Sequence, residues 1–183
     1  MSNKEKALHQ LETIDHQLEA LISFLENENS QHFTYVEQAT DWSCLQILKH
    51  LEMAETLSIN YLKYKLKEGK SFPKAGLKQV YASWIMKKAY KSKKKFVAPE
   101  SQGLVPAKEG LDYDEIILSY RNHRAKQKQF LTGLEEKYYE YAMYKHPFFG
   151  RLTLSQMLTF YEGHVERHEK QIRRTLESAK PTV

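Results

Sequence analysis

The chain has 183 residues, 28% of them charged and 41% hydrophobic, a length and composition that suit one globular domain able to bury a core. No apolar run approaches the roughly 20 residues of a membrane-spanning helix, and Met1–Lys6 lacks the apolar core of a signal peptide. One cysteine, Cys44, excludes an internal disulfide framework, so the expectation is a single cytoplasmic domain over residues 1–183 with no membrane partner.

Four helical segments stand out in chain order, and no strand pattern does. In the first, Ala7, Leu11, Ile14, Leu18, Leu21 and Leu25 recur in steps of four and three, the seam of a packed bundle helix. The second is expected from near Ser43 to about Leu66. Ser43 and Gln46 have capping-box spacing, and Ile47, Leu48, Leu51, Ala54 and Leu62 supply the apolar positions. The third opens near Asp112, with Glu115 behind it, and its seam runs through Ile116, Tyr120, His123, Gln127, Phe130 and Leu134. The fourth opens at Thr153 with Gln156 as a second capping box, and its seam holds Met157, Tyr161, His164, His168 and Ile172 or Gln171. More than forty residues separate the second and third helices, too many for a simple loop. Leu77–Met86 reads as a short extra helix inside that crossover, and Pro99, Gly103, Pro106 and Gly110 mark irregular chain. The fold expected is all-α, a four-helix bundle with a long helix 2 to helix 3 crossover. Thr182 and Val183 are expected to fray.

Chemistry-bearing residues concentrate on the fourth helix. His164 and His168, at i and i+4, present their imidazoles on one face about a turn apart, a spacing at which both can bind one divalent metal. That face points into the bundle, where two imidazoles without partners would cost free energy. A third candidate, His50, lies on the second helix. Two ligands from one helix and one from another would leave metal positions open to water or substrate. Tyr161, a turn before His164, either points its phenol at such a site or serves as a core aromatic. His123 is a satisfied core histidine, an outer donor or a fourth ligand. Cys44 is six residues before His50, about 240° around the helix, so it belongs off the metal face as a small buried residue. His146 precedes Pro147, which favours extended chain near a turn. Gln46 is explained by its cap. His9, His16 and His32 are assigned to surfaces, and Glu162 and Glu166 should point away from the metal face.

Two tracts carry a family resemblance. His146-Pro147-Phe148-Phe149-Gly150-Arg151-Leu152-Thr153-Leu154-Ser155-Gln156-Met157-Leu158, continued by Gly163 to Ile172, resembles the C-terminal signature of the DinB-like (YfiT-like) metalloenzyme superfamily. Asp41-Trp42-Ser43-Cys44 through His50-Leu51 resembles its upstream signature. The resemblance implies a four-helix bundle holding a divalent metal through His50, His164 and His168. It also implies an activity within the superfamily's range: thiol-dependent S-transfer, thiol-dependent isomerisation or metal-dependent hydrolysis. Dimeric relatives imply a homodimer.

The function expected is therefore metal-dependent activation of a low-molecular-weight thiol that attacks a small electrophile. Hydrolysis, and non-enzymatic binding of metal or ligand, are the alternatives. Three imidazoles suit zinc or nickel first, and iron or manganese as well. Much of the net charge of +5 is gathered in Lys87–Lys95. Such a run could attract an anion or nucleic acid, but a solvated helix end explains it more simply, no nucleic-acid motif accompanies it, and only Tyr90 and Phe96 interleave it.

Overall fold

The computed structural model describes residues 1–38, 41–69, 71–91 and 104–180. Residues 92–95 of the lysine-rich run, with Phe96, Pro99, Gly103, Thr182 and Val183, lie outside them. Five α-helices are present among the described residues: α1 (Asn3–Leu25), α2 (Cys44–Lys67), α3 (Leu77–Lys91), α4 (Tyr113–Gly133) and α5 (Leu154–Ser178). Short 3₁₀ turns span Ser30–Thr34 and Glu136–Glu140. The fold is all-α. α1, α5, α2 and α4 pack in that order around a four-helix bundle, and α3 lies outside it in the long crossover, against α5 and a small hairpin.

The helices start where their caps dictate. The side chains of Ser43 and Gln46 exchange hydrogen bonds with each other's backbone N–H, as do those of Thr153 and Gln156, which fixes the first residues of α2 and α5. Ser2 and Glu5 do the same for α1, and Asp112 caps α4 by accepting from the Glu115 amide. The seam residues foreseen for α1 are all buried, as are Met157, Tyr161 and Ile172 of α5. α4 departs from its expected seam. The helix ends at Gly133, so Leu134 is a capping residue outside it, and Phe130 and His123 are only half-buried. Arg124 takes a core position there instead, eight residues after Ile116 and four after Tyr120.

An antiparallel pair also contradicts the expectation of no strands. β1 (Tyr144–His146) pairs with β2 (Gly150–Leu152), joined by Pro147-Phe148-Phe149. Gly150 has φ +73°, a conformation that favours glycine, and so closes the turn. His146 stabilises that turn from inside, its Nδ1 accepting from the amides of Phe148 (3.1 Å) and Phe149 (3.3 Å). Its ring is buried against Phe149 and Phe160. The hairpin delivers the chain into α5, whose N-cap, Thr153, follows β2 directly.

Among the buried polar groups of the bundle core is an ionic cluster around Arg124 and Glu55. The Arg124 guanidinium donates to Asp15 at 2.7 Å, Glu55 at 2.8 Å, Gln127 at 3.3 Å and the Leu11 carbonyl at 3.1 Å. Glu55, 1% exposed, also accepts from the Tyr120 hydroxyl at 2.6 Å. The Arg124 guanidinium and both Glu55 carboxylate oxygens are hydrogen-bonded, the condition for burying charge at tolerable cost, although the Gln127 Nε2 donor beside them has no partner.

Candidate metal centre

α2 and α5 bring His50, His164 and His168 together. Each ring is positioned by its own helix: His50 sits seven residues past the Ser43 cap, and the other two lie one turn apart on the inward face of α5. Their Nε2 atoms converge. His164 Nε2 lies 3.2 Å from His50 Nε2 and 3.1 Å from His168 Nε2. The outer nitrogens of two of these rings are committed elsewhere. His50 Nδ1 donates to the Leu104 carbonyl at 2.8 Å, and His168 Nδ1 donates to Gln171 Oε1 at 3.0 Å. A carbonyl oxygen only accepts, so both protons sit on Nδ1 and both Nε2 atoms present bare lone pairs to the centre.

The protonation state suits ligation. Burial lowers the His50 pKa below its ordinary value, and burial with the adjacent His50 brings His168 down to about 3. His164 is pushed well below the usual range by burial and by the two rings beside it. All three are neutral at physiological pH, the form a metal requires.

Two nitrogens each about 2.0–2.1 Å from one zinc ion, at the tetrahedral angle, lie about 3.3 Å apart. The observed 3.1 and 3.2 Å are close to that separation. Without an ion, the cluster has at most one available proton, that of His164, for two nitrogen–nitrogen contacts. At most one contact is then a hydrogen bond, and at least one is a collision of lone pairs. The donor set thus fits a divalent metal better than it fits an internal hydrogen-bond network. His50 and His168 are buried and His164 is half-buried. Aromatic rings brace the cluster. Trp42 packs on His50 at 4.9 Å and Phe160 stacks on His164 at 5.0 Å. Among the described residues no aspartate, glutamate or cysteine joins the three histidines in a metal-ligating group.

The other sequence candidates go elsewhere. Tyr161 is fully buried, but no ring contact joins it to the histidines. The groups acting on its phenol include Tyr144, Glu55 and Ser58, and burial holds that phenol well above its ordinary pKa. Phe160, its neighbour in sequence, takes the place against His164. His123 faces a groove of about 560 Å³ between α2 and α4, with Nδ1 3.1 Å from Thr56 Oγ1, and takes no part in the cluster. Cys44 is buried and its thiol is pushed up to about 12. Gln46 is a cap, and His146 belongs to the hairpin. His9 and His16 are exposed, whereas His32, expected at a surface, is half-buried. Sequence reasoning missed the two groups that orient the ligands. Gln171 had a usable signal, three residues beyond His168, while the Leu104 carbonyl has none, because a backbone oxygen leaves no trace in residue identity.

The chain belongs to a family of proteins of unknown function, DUF1569, whose model matches residues 9–175. This match corrects the DinB-like assignment. The two tracts behind that resemblance record how two helices open and where their histidines fall, whereas the DUF1569 match extends over most of the chain and brings no activity with it. No curated protein and no solved structure matches the chain.

Proposed function

We propose that the protein is a metal-dependent enzyme in which His50, His164 and His168 hold one divalent ion, zinc or nickel in the first instance, and that it activates a low-molecular-weight thiol toward a small electrophile. The observation carrying this reading is the convergence of three Nε2 atoms on rings that are neutral at physiological pH, with the Nδ1 atoms of two of them already bonded elsewhere. When bound, the ion supplies Lewis acidity toward a coordinated thiol or water.

The chain's residues supply the rest. Leu104 and Gln171 fix the tautomers and ring planes of His50 and His168, so the ligands are set before any ion arrives. Trp42 and Phe160 exclude water from the flanks of His50 and His164. The partial exposure of His164 leaves a route for a small molecule. The absence of a carboxylate from the cluster, among the described residues, favours a thiol over water as the activated group. A thiol with pKa near 8.5 needs only a modest shift to ionise at neutral pH, whereas water starts about seven pKa units higher and gains more from a neighbouring base.

The test is metal analysis of untagged protein, followed by a screen of cellular thiols against small electrophiles. Alanine at His164 should abolish both metal retention and thiol consumption. Cys44→Ser should leave both intact, because that thiol is buried and protonated. Loss of activity in Cys44→Ser with metal content unchanged would refute the proposed mechanism. Ester or amide hydrolysis without thiol transfer would move the activity to hydrolysis.

A further inference from the structure

Among the described residues, the lysine-rich stretch contributes nothing to the three-histidine group. Between Gly69 and Pro99 the sequence has nine lysines and no acidic residue, a local charge of +9 in a chain whose total is +5, so the remainder carries −4. α3 is the described helix of this stretch, and its two faces differ. The inner face packs on α5 and β2: Ala82 and Met86 are buried, Gln156 Nε2 donates to the Gln79 carbonyl (2.5 Å) and to Ser83 Oγ (2.6 Å), and Gln79 Nε2 donates to the Arg151 carbonyl (3.1 Å). The outer face carries Leu77, Val80, Tyr81 and Trp84, which are 87%, 67%, 62% and 57% exposed. At about 100° per residue these four fall within an arc of roughly 100° opposite the packed face. Lys78 and Lys87 flank the arc on either side and Lys88 extends it, its Nζ 5.3 Å from the Trp84 ring. All three lysines are exposed, and none has an acidic partner among the described residues.

We propose that the outer face of α3 docks the protein on the surface of an anionic phospholipid bilayer. Leu77, Val80, Tyr81 and Trp84 enter the boundary between headgroups and acyl chains, and Lys78, Lys87 and Lys88 meet the anionic headgroups. Tryptophan and tyrosine favour that boundary, and lysine stems extend from it toward charge. The charge selects this occupant over two others. A second copy docked face to face would oppose two lysine-rich surfaces. A nucleic acid would use the lysines but leave Leu77 and Val80 without a partner. Association is peripheral, since none of the described helices is long and apolar enough to cross a membrane. It departs from the expectation of no membrane partner, and it is independent of the metal centre.

The test is co-sedimentation of the full chain with phosphatidylcholine vesicles, with and without phosphatidylglycerol, read together with tryptophan fluorescence. Binding is expected only with the anionic lipid, together with a blue shift and quenching by brominated acyl chains. Trp84→Phe should remove most of that spectral response while retaining most of the binding. Leu77→Gln should weaken binding roughly tenfold, and Lys87→Gln and Lys88→Gln about fivefold each. These side chains are exposed, so circular dichroism and melting temperature should be unchanged in every variant. Vesicle binding indifferent to Leu77→Gln and Trp84→Ala overturns the proposal. So does an absence of vesicle binding, whether or not it comes with salt-dependent DNA binding or with a dimer that Leu77→Gln dissolves.

Discussion

Adding a divalent metal to the metal-free protein should stabilise the fold through the three histidines and through nothing else. The cluster is built before the ion arrives: Nε2 atoms stand 3.1 and 3.2 Å apart, and two of the three rings are tied by Leu104 and Gln171. Little ordering remains to offset binding. An ion present at a hundred times its dissociation constant contributes about 2.7 kcal/mol to a native state that alone binds it. For a chain of this length each kcal/mol moves the melting temperature by about 2–4 °C, so the expected rise is about 5–11 °C. Differential scanning fluorimetry of chelator-treated protein, titrated with zinc and with nickel, reads this directly. His50→Ala and His168→Ala should each remove most of the rise. In the absence of metal these variants should melt close to wild type, because the substitution also relieves the nitrogen–nitrogen crowding at His164. The diagnostic is therefore a large effect with metal and a small one without. An equal metal-induced rise in wild type and in both alanine variants would refute the site. A large loss of stability in the metal-free variants alone would make the cluster a structural core feature.

Four further outcomes follow from particular contacts. Gln171→Ala should weaken metal affinity by about ten- to a hundredfold, by freeing the His168 ring, with little change in the metal-free melting temperature; a competition titration against a chromophoric chelator measures it. Glu55→Ala should cost about 3–5 kcal/mol in urea unfolding, because it strands the Arg124 charge and the Tyr120 hydroxyl in the core. Asp15→Ala should cost about 1 kcal/mol or less, since the Asp15 side chain is a third exposed and solvent can replace it. His146 is held at about 4 by burial, below its unfolded value of about 6.5. Its neutral form therefore adds stability that is complete above pH 6.5 and lost as pH falls toward 4, up to about 3 kcal/mol. In His146→Phe the corresponding slope of unfolding free energy against pH should be absent.

The helices were legible because period and cap agree. Ser43 with Gln46 and Thr153 with Gln156 mark their starts, and the α1 seam reads without ambiguity. The hairpin was not legible, since three-residue strands are too short to show alternation, and its turn is held by a histidine side chain that reads as a loop residue. The pair at 164 and 168 was visible from spacing alone. That His50 meets it depends on how α2 faces α5, which periodicity within one helix does not report. Arg124 and Glu55 were passed over because charged residues are expected at surfaces, although Arg124 continues the Ile116–Tyr120 row in steps of four. The outer face of α3 was hidden because both of its faces carry apolar residues, so no period distinguishes them.

The buried ionic cluster matters to the metal centre through position more than through stability. α2 carries both. His50 meets α5, Glu55 meets Arg124 and Tyr120 of α4, and the Ser58 hydroxyl is hydrogen-bonded to the Tyr144 hydroxyl of β1 at 2.9 Å. Apolar contacts tolerate a small slide of one helix along another, but these directional contacts do not. A shift of α2 by one residue means about 1.5 Å of translation and 100° of rotation, which would break all three at once. Buried ion pairs are often no more stabilising than the apolar residues that could replace them. A metal site, by contrast, requires ligand distances within about 0.2 Å of ideal. The Glu55–Arg124 pair holds α2 in register with α4 and α1, and that register sets where His50 Nε2 stands relative to α5.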